Sequence, residues 1–413
     1  MSFTSDWRDV YVAASARGAA VTAELMAATA LALALQSAGA GGLAVSGLLL
    51  AAALPLVVLA PVTGWLVDRV DSRILLVTAG LAQTAVCAAL AFVERPAAIV
   101  ALVALLATGL AVTQPTFAAL LPTMVRRDDL PRAAGANQTI TSAGLLAAPA
   151  LAGVLTGQFG VRAAVLTAAV GYLWVVGAAA LIRTRRGGAH AVAPVAAADE
   201  PARWRLFGDP LLRAMVIAVA GTLAGVGAIN VIAVFFIRET LDASATAYGL
   251  VETAWTAGLV VGAWVLARAA RRARDDGALV WGMLVMLAGT STVVLSAALV
   301  PAVAWLAPLW LVGGVLNGGE NIFSNVLMGR RAPDRVRGRA FATLTASTQG
   351  ASMIGFFLGG LLLEWLAPRA MVALAGAVGL AVVALVVLPV RRAIARERHT
   401  PHDQGVPEVA LAA

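Results

Sequence analysis

The chain contains no lysine, one cysteine, three histidines and few charged residues, and each shortage narrows what the protein can be. The lone Cys87 excludes an intramolecular disulfide and a metal site built from cysteines. His190, His399 and His402 fall in a predicted loop and the C-terminal tail, so we expect no histidine proton relay within a membrane. Only 13% of the 413 residues are charged, whereas 61% are hydrophobic. Soluble domains of this length contain more charged and fewer hydrophobic residues. The composition therefore places the chain in lipid.

Apolar runs long enough to cross a bilayer follow one another from Val10 to Val390. A hydrocarbon core about 30 Å thick requires about 20 apolar residues per helix. The first run is too long for a signal peptide and lacks a clear cleavage site, so we predict a retained first helix. Glycine, proline and charge clusters divide the runs and predict an all-α membrane fold of about twelve transmembrane helices. The predicted helices span 10–36, 42–67, 73–93, 96–121, 130–156, 162–183, 210–237, 246–267, 277–299, 303–329, 339–365 and 370–391.

The arginines are distributed unevenly among the predicted loops. If the N-terminus is cytoplasmic, 25 of the 30 arginines lie in cytoplasmic segments, and only Arg95, Arg162, Arg238 and Arg369 lie on the other side. Because short arginine-rich loops are retained inside the cell, this asymmetry predicts a multi-pass protein with both termini cytoplasmic. The net charge of +8 is then a topology signal, and nucleic-acid binding is not expected. Arginine in place of lysine, with heavy alanine usage, suggests a high-GC bacterial genome and hence the bacterial inner membrane.

An internal repeat divides the chain at its longest polar connection. The segment from Arg132 to Gly153 superposes on the segment from Arg339 to Gly360 at a constant offset of 207 residues. Transporters built from two related halves show such weak symmetry. We therefore predict a six-helix N-terminal half at 1–183, a linker at 184–209, a six-helix C-terminal half at 210–392 and a tail at 393–413.

The loop after the second predicted helix joins a glycine to a cluster of charges, running from Gly64 to Arg73. Glycine permits close approach of helices, and Asp68 can cap a neighbouring helix N-terminus or pair with an arginine across the interface between halves. Alternatively, these charges at a helix end face water. The equivalent loop of the second half has Leu266 in place of Asp68, so we assign it no function.

The fifth predicted helix carries small residues on one face around a proline, in the pattern Gly144-x-x-x-Ala148-Pro149-x-x-Ala152-Gly153. Small residues at this spacing let another helix pack closely, and Pro149 frees a backbone carbonyl and bends the helix. The eleventh helix repeats the face as Gly355 to Gly360. Ordinary membrane packing also explains such a face.

These motifs resemble those of the major facilitator superfamily. The first loop is similar to its G-x-L-x-D-R-x-x-x-R signature, and the fifth helix is similar to its antiporter motif with two glycines replaced by alanine. The stretches 115–122 and 330–339, with Asn137, look like its drug-export branch, which includes macrolide and enterobactin exporters. The resemblance implies two pseudo-symmetric six-helix halves, export, and a conformational latch at Gly64, Asp68, Arg69 and Arg73. Drug antiporters often carry an arginine in helix four, and this chain has none there.

Charged side chains in mid-membrane are costly and therefore mark functional candidates. Glu24 lies near the middle of the first predicted helix, two turns from Arg17 on the same face, and can bind a substrate cation or a proton, or form a structural pair. Glu320 lies in the tenth helix and can serve a cavity or coupling role, or a static hydrogen-bond network. Glu252 lies about two turns into the eighth helix, where an interfacial position is an alternative.

Uncharged polar residues complete the candidate site. Asn317, Asn321 and Ser324 share a helical stripe with Glu320, which predicts that one face of the tenth helix meets the protein interior or a water-filled path. Asn230 in the seventh helix and Gln114 in the fourth are further candidates for the lining of a cavity.

The sequence as a whole favours a secondary transporter over other membrane proteins. It contains no phosphate-binding loop, HExxH motif or nucleophile elbow, so neither an ATP-driven pump nor an enzyme is expected. We predict proton-coupled export of small amphipathic or cationic compounds by a monomer in the lipid bilayer, without a cofactor. The alternatives are a metabolite importer or exchanger, and a non-transporting binding or assembly protein.

Overall fold

The computed structural model describes residues 5–187, 206–333 and 336–399, and these residues are helical almost throughout. The predicted linker therefore lies largely outside the described residues, as do His190 and His402. The helices of the N-terminal half are α1 (Trp7–Ser37), α2 (Gly42–Val58), α3 (Ala60–Arg69), α4 (Ser72–Leu90), α5 (Pro96–Met124), α6 (Leu130–Phe159) and α7 (Val161–Leu181). Those of the C-terminal half are α8 (Pro210–Val226), α9 (Ile229–Phe235), α10 (Ala245–Arg272), α11 (Asp276–Ala297), α12 (Val303–Arg331), α13 (Arg337–Leu362) and α14 (Pro368–His399).

The expected all-α membrane fold is confirmed, and the exact number of spans stays a prediction. Within the described residues, nine helical stretches are long and apolar enough to cross a membrane, and a tenth is added if α2 and α3 form one bent span. The long helices α12 and α13 are not among them. In α12 the reason is the polar stripe, because Asn317, Glu320 and Asn321 lower the hydropathy of its central turns.

Two helices predicted as continuous are broken. The span predicted at 42–67 bends by 54° between α2 and α3, where Pro61 in the first turn of α3 lacks the N–H that would continue α2. The span predicted at 210–237 breaks between α8 and α9 around Gly227 and ends in a π-helical turn, Phe236–Thr240. The last helix continues to His399, past the predicted end at 391, because the arginine- and alanine-rich segment favours helix outside lipid as well.

The two halves meet at two glycine crossings that the internal repeat relates. A Cβ on Gly153 of α6 would lie 2.8 Å from the Gly249 Cα of α10, and a Cβ on Gly42 of α2 would lie 3.1 Å from the Gly360 Cα of α13. Gly42 and Gly249 are 207 residues apart, as are Gly153 and Gly360. The pairs α6–α10 and α2–α13 are therefore counterparts in a pseudo-symmetric interface.

Hydrogen bonds between the halves cluster at the same end of the molecule as these crossings. The Thr246 hydroxyl donates to the Gly153 carbonyl at 3.3 Å, and the Ser46 hydroxyl donates to the Phe356 carbonyl. The Gln36 amide donates to Glu239 at 3.0 Å. We call this end the closed end, and the end where α1 begins, α14 ends and most described arginines lie the arginine-rich end.

Helix termini at the arginine-rich end are held within each half. The buried Asp9 of α1 accepts hydrogen bonds from the Arg183 and Thr184 backbone amides and from the Thr184 hydroxyl, at 2.7–2.9 Å, through one carboxylate oxygen. In the C-terminal half, Arg331 pairs with Asp209 at 2.7 Å and with Asp276 at 3.1 Å. These contacts fix the starts of α1, α8 and α11 and the end of α12.

Replacing Arg331 with alanine is expected to destabilise the C-terminal half. The side chain is only 18% exposed and neutralises two aspartates, so its removal costs about 2 kcal/mol. Arg162→Ala is the matched control, because its 3.9 Å pair with Glu94 is 65% exposed on the arginine side and such pairs contribute little. The thermal unfolding midpoint in detergent measures both changes. Equal midpoints for the two variants would contradict this assignment.

Candidate substrate and coupling site

A cavity of about 240 Å³ lies within the C-terminal half, between α8, α9, α10, α11 and α12. It brings together four of the sequence-predicted residues, Asn230, Glu252, Asn317 and Glu320. Its other lining residues are Val219, Thr222, Leu223, Val226, Gly227, Ile229, Ala233, Trp255, Leu287, Thr290 and Trp310. The wall thus combines two carboxyl groups, two amides and two indoles in an apolar frame.

Close packing of α10 on α12 at two glycines fixes the positions of the two carboxyl groups along the helix axis. A Cβ on Gly258 of α10 would lie 3.0 Å from the Gly314 Cα of α12, so the two backbones are in contact and the helices run in the same direction. Glu252 precedes this crossing by six residues, and Glu320 follows it by six. With a rise of 1.5 Å per residue, the two carboxyl-bearing positions are roughly 18 Å apart along the helix axis. They mark opposite ends of one elongated cavity.

Glu320 lies at the end of the cavity nearer the arginine-rich end. The residue is 4% exposed, and the Ser324 hydroxyl donates to its carboxylate at 2.8 Å. Asn317 lines the cavity one turn earlier. Asn321, by contrast, is exposed and donates to the Asn317 carbonyl at 2.9 Å. The predicted polar stripe therefore divides between the cavity wall and an adjacent exposed face.

Glu252 lies at the other end of the cavity beside the indole rings of Trp255 and Trp310. Neither tryptophan was among the site residues predicted from the sequence. Trp310 precedes Gly314 by four residues and Glu252 precedes Gly258 by six, so both side chains line the same end of the cavity. The Trp255 and Trp310 rings pack edge to face, with centroids 6.0 Å apart. The one available signal for Trp255 was its place one turn after Glu252, on the same helical face.

Asn230 enters the cavity from the break between α8 and α9. Its side-chain amide donates to the Gly227 carbonyl at 3.0 Å, and the same carbonyl also accepts a hydrogen bond from the Asn230 backbone N–H at 3.2 Å. Gln114, on α5, is half-buried and lines neither this cavity nor the one in the N-terminal half. The structure therefore does not bring Gln114 together with the other candidates.

A second cavity, of about 230 Å³, lies in the N-terminal half between α1, α2, α5 and α6. Glu24 is the one polar residue in its described lining, which otherwise consists of Val21, Leu25, Ala27, Ala28, Leu31, Ala52, Val103, Leu106, Ala107, Leu110 and Leu145. Arg17 is not part of that wall. The two halves thus present unlike cavities, one apolar with a single carboxyl group and one polar and aromatic.

The charged loop motif makes its described contacts with the N-terminal half and with the first residues of the linker. Asp68 pairs with Arg186 at 3.0 Å, and Arg73 donates to the Ala180 and Ile182 carbonyls at 3.1 and 2.8 Å. Arg69 stacks on Trp65, with 4.8 Å between the guanidinium carbon and the ring centroid. A Cβ on Gly64 would meet no atom within 4 Å, so this glycine makes no close helix approach here.

The small-residue face of α6 contacts two different helices. Gly144 packs on α1, where its Cβ would lie 2.7 Å from the Gly18 carbonyl oxygen, whereas Gly153 packs on α10 of the other half. Pro149 lies buried between them, against Gly249. The motif thus joins packing within one half to the crossing between halves.

The chain has the fold of solved membrane transporters. A bacterial homologue of the human lysosomal transporter Spinster, inward-facing and unoccupied, is 15% identical over 94% of this chain and 96% of its own, with a TM-score of 0.75. A peptide transporter is 15% identical over 94% and 95% of the two chains, with a TM-score of 0.74. A bacterial homologue of the iron transporter ferroportin, inward-facing, is 17% identical over 94% and 99%, with a TM-score of 0.72.

A search of curated protein sequences finds no significant match to the chain. One family profile, described as transmembrane secretion effector, matches residues 7–412, which is nearly the whole chain. With the two pseudo-symmetric halves and the structural neighbours, this match identifies a multi-pass integral membrane protein of the transmembrane secretion effector family, within the major facilitator superfamily.

Proposed function

We propose that the protein is a secondary active transporter that exports small amphipathic or cationic compounds in exchange for protons. The observation that carries this proposal is the C-terminal cavity, where Glu252 and Glu320 share a wall with Trp255, Trp310 and two asparagines. A buried carboxylate attracts a cation, and an indole face binds cations and flat apolar groups. The chemistry of this wall therefore suits an organic cation or an amphipathic amine.

The two unlike cavities suit the two ends of an amphipathic molecule. A volume of about 240 Å³ lies below that of a whole drug-sized site, so the C-terminal cavity holds a small substrate or the polar end of a larger one. The apolar cavity around Glu24 offers a place for hydrocarbon. In this proposal both cavities face a common path between the halves.

Proton coupling follows from the chemistry of a carboxyl group in an apolar wall. Such a group is neutral when protonated and attracts a cation when it is not, so a proton and a cationic substrate compete for it. Glu24 and Glu320 are the groups we assign to this exchange. Glu252, beside two indoles, is assigned to substrate contact.

The interface between halves supports alternating access. The described contacts between the halves lie at the closed end. Toward the arginine-rich end, α6 has no buried residue between its first turn and Ala148, so the halves do not cover this part of the helix. Separation at the two glycine crossings, with approach of the arginine-rich ends, would expose the cavities to the other side. The Asp68–Arg186 pair holds the latch loop against the start of the linker in the present arrangement, and we propose that it exchanges partners on closure.

A tolerance screen tests the proposed function. Expression in an efflux-deficient bacterial host is expected to raise the inhibitory concentration of one or more cationic or amphipathic toxicants, with little effect on anionic compounds of similar size. Glu94→Gln is the matched control, because Glu94 is an exposed carboxylate that lines neither cavity and its loss should preserve tolerance.

The same panel separates the rival functions. Increased sensitivity to a compound, with accumulation inside cells, would indicate import and contradict export. Unchanged tolerance across the panel, with no substrate-dependent flux in proteoliposomes, would contradict transport and favour a binding or assembly role.

A further inference from the structure

Near Glu24, a buried hydroxyl group lacks a hydrogen-bond partner. The chain has three tyrosines, and Tyr172 on α7 is fully buried, yet its hydroxyl has no hydrogen-bond partner. Gln83 on α4 is 1% exposed, and neither atom of its amide has a partner. Buried polar groups of proteins nearly always bond to protein or ordered water, and an unpaired one costs about 1–3 kcal/mol. Orphaned groups on two neighbouring helices therefore need an explanation.

The packing of α4 against α7 places Gln83 at the level of Tyr172. A Cβ on Gly80 would lie 3.5 Å from the Tyr172 carbonyl oxygen, and one helical turn beyond Gln83 the Cys87 thiol donates to the Val165 carbonyl at 3.4 Å. The two helices are thus antiparallel, and Gln83 lies between these contacts. Its amide also packs on Gly109 of α5, which has no side chain to satisfy it.

The packing of α1 against α7 brings Glu24 to the same place. A Cβ on Gly171 would lie 3.0 Å from the Ala23 Cβ, so Tyr172 and Glu24 each lie one residue from this contact. Glu24 on α1 and Gln83 on α4 are therefore both placed beside Tyr172 on α7. Glu24 therefore lies between the apolar cavity on one side and the orphaned groups on the other.

Few other titratable groups occur on the helices packed around this cluster. Helix α1 carries Glu24, Arg17 two turns away, and Arg8, Asp9 and Tyr11 near its start. Helix α4 carries Cys87 and, in its first turn, Arg73, and α7 carries Tyr172 and, in its first turn, Arg162. Helices α2 and α5 carry no charged residue, and the one charge of α6, Arg132, lies in its first turn at the arginine-rich end. Unpartnered polar groups in such apolar surroundings are suited to bind water and to take part in the movement of a proton.

We propose that Tyr172 and Gln83 hold buried water behind Glu24, and that the Tyr172 hydroxyl is a positioning group for the Glu24 carboxyl. When Glu24 is deprotonated, the hydroxyl donates a hydrogen bond to the carboxylate directly or through this water. When water delivers a proton to Glu24, the hydroxyl donates back to water, and Gln83 fixes that water through its amide. This inference rests on the proposed function, in which Glu24 exchanges protons.

Infrared difference spectroscopy of the purified protein tests the contact without a transport assay. A pH jump should produce a carboxyl C=O band that disappears in Glu24→Gln. We expect this band to change frequency in Tyr172→Phe and in Gln83→Leu, and to stay unchanged in Tyr11→Phe. Tyr11 is the matched control, because it is an exposed tyrosine on α1. A band that does not move in Tyr172→Phe overturns the inference.

Thermal unfolding of the same variant gives an independent readout. If the hydroxyl were truly unpartnered, its replacement by phenylalanine would be neutral or stabilising. Because we propose that water satisfies it, Tyr172→Phe is expected to lower the unfolding midpoint relative to Tyr11→Phe. An unchanged or raised midpoint also overturns the inference.

Failure of the inference can be told from failure of the proposed function. If the Glu24 band exists but its frequency does not change in Tyr172→Phe, the coupling role of Glu24 stands and the proposed water site is wrong. If Glu24→Gln removes no band from the spectrum, Glu24 does not exchange protons, and its role in the proposed function fails as well.

Discussion

Replacing Gly153 with leucine is expected to abolish export while the protein still folds and inserts. A Cβ at this position would lie 2.8 Å from the Gly249 Cα and 3.0 Å from the Gly249 nitrogen, too close for any carbon atom. The obstructing atoms are backbone, so no side chain can rotate away, and α6 and α10 must separate. The closed end would then stay open, and a transporter that cannot close one end completes no cycle.

The matched control is Gly135→Leu on the same helix, because a Cβ on Gly135 would meet no atom within 4 Å. A single cysteine at Ser46, in a Cys87→Ala background, reports on the closed end, because Ser46 is buried at the other glycine crossing. A membrane-impermeant thiol reagent should label it slowly in the parent and Gly135→Leu proteins and rapidly in Gly153→Leu. Slow labelling and retained export in Gly153→Leu would contradict the assignment of this crossing as a gate.

Replacing Glu320 with glutamine is expected to uncouple export from the proton gradient. Glutamine keeps the size of the side chain, and its carbonyl oxygen still accepts the hydrogen bond from Ser324, so the C-terminal half should stay folded. The variant can neither release a proton nor carry a charge. Exchange of labelled substrate across proteoliposomes should therefore continue, while uptake driven by a pH gradient should fall by at least about tenfold, or ~1.4 kcal/mol.

Glu94→Gln serves again as the control, and Glu24→Gln separates the two coupling candidates. If uncoupling occurs in Glu24→Gln alone, the N-terminal half carries the proton and Glu320 is structural. If both glutamine variants keep full response to the pH gradient, the coupling assignment is wrong for both residues.

The sequence predicts the helices and their symmetry well because both depend on local pattern. Hydropathy locates the spans, and the offset of 207 residues, found between α6 and α13, also relates Gly42 to Gly249 at the opposing faces. Breaks are harder to predict, because Gly227 and Pro61 interrupt helices whose hydropathy continues unchanged.

Contacts between distant segments explain what the sequence could not show. The polar stripe of α12 indicated which face of the helix is special, but the partners Trp255 and Trp310 follow only from the packing of α10 on α12. Asp68 was expected to cap a helix, to pair across the interface or to face water, and it pairs with Arg186 at the start of the linker. Tyr172 and Gln83 look like ordinary helix residues until both are found buried without partners.

Proton movement during substrate export is the most direct measure of whether the protein exchanges its substrate for protons. Proteoliposomes containing the protein and a pH-sensitive dye would be loaded with a compound identified by the tolerance screen, with no imposed pH gradient. We expect efflux of the compound to drive protons into the vesicles, and we expect Glu24→Gln or Glu320→Gln to abolish this proton entry. Efflux of the compound without proton movement, or with protons leaving alongside it, would contradict export in exchange for protons.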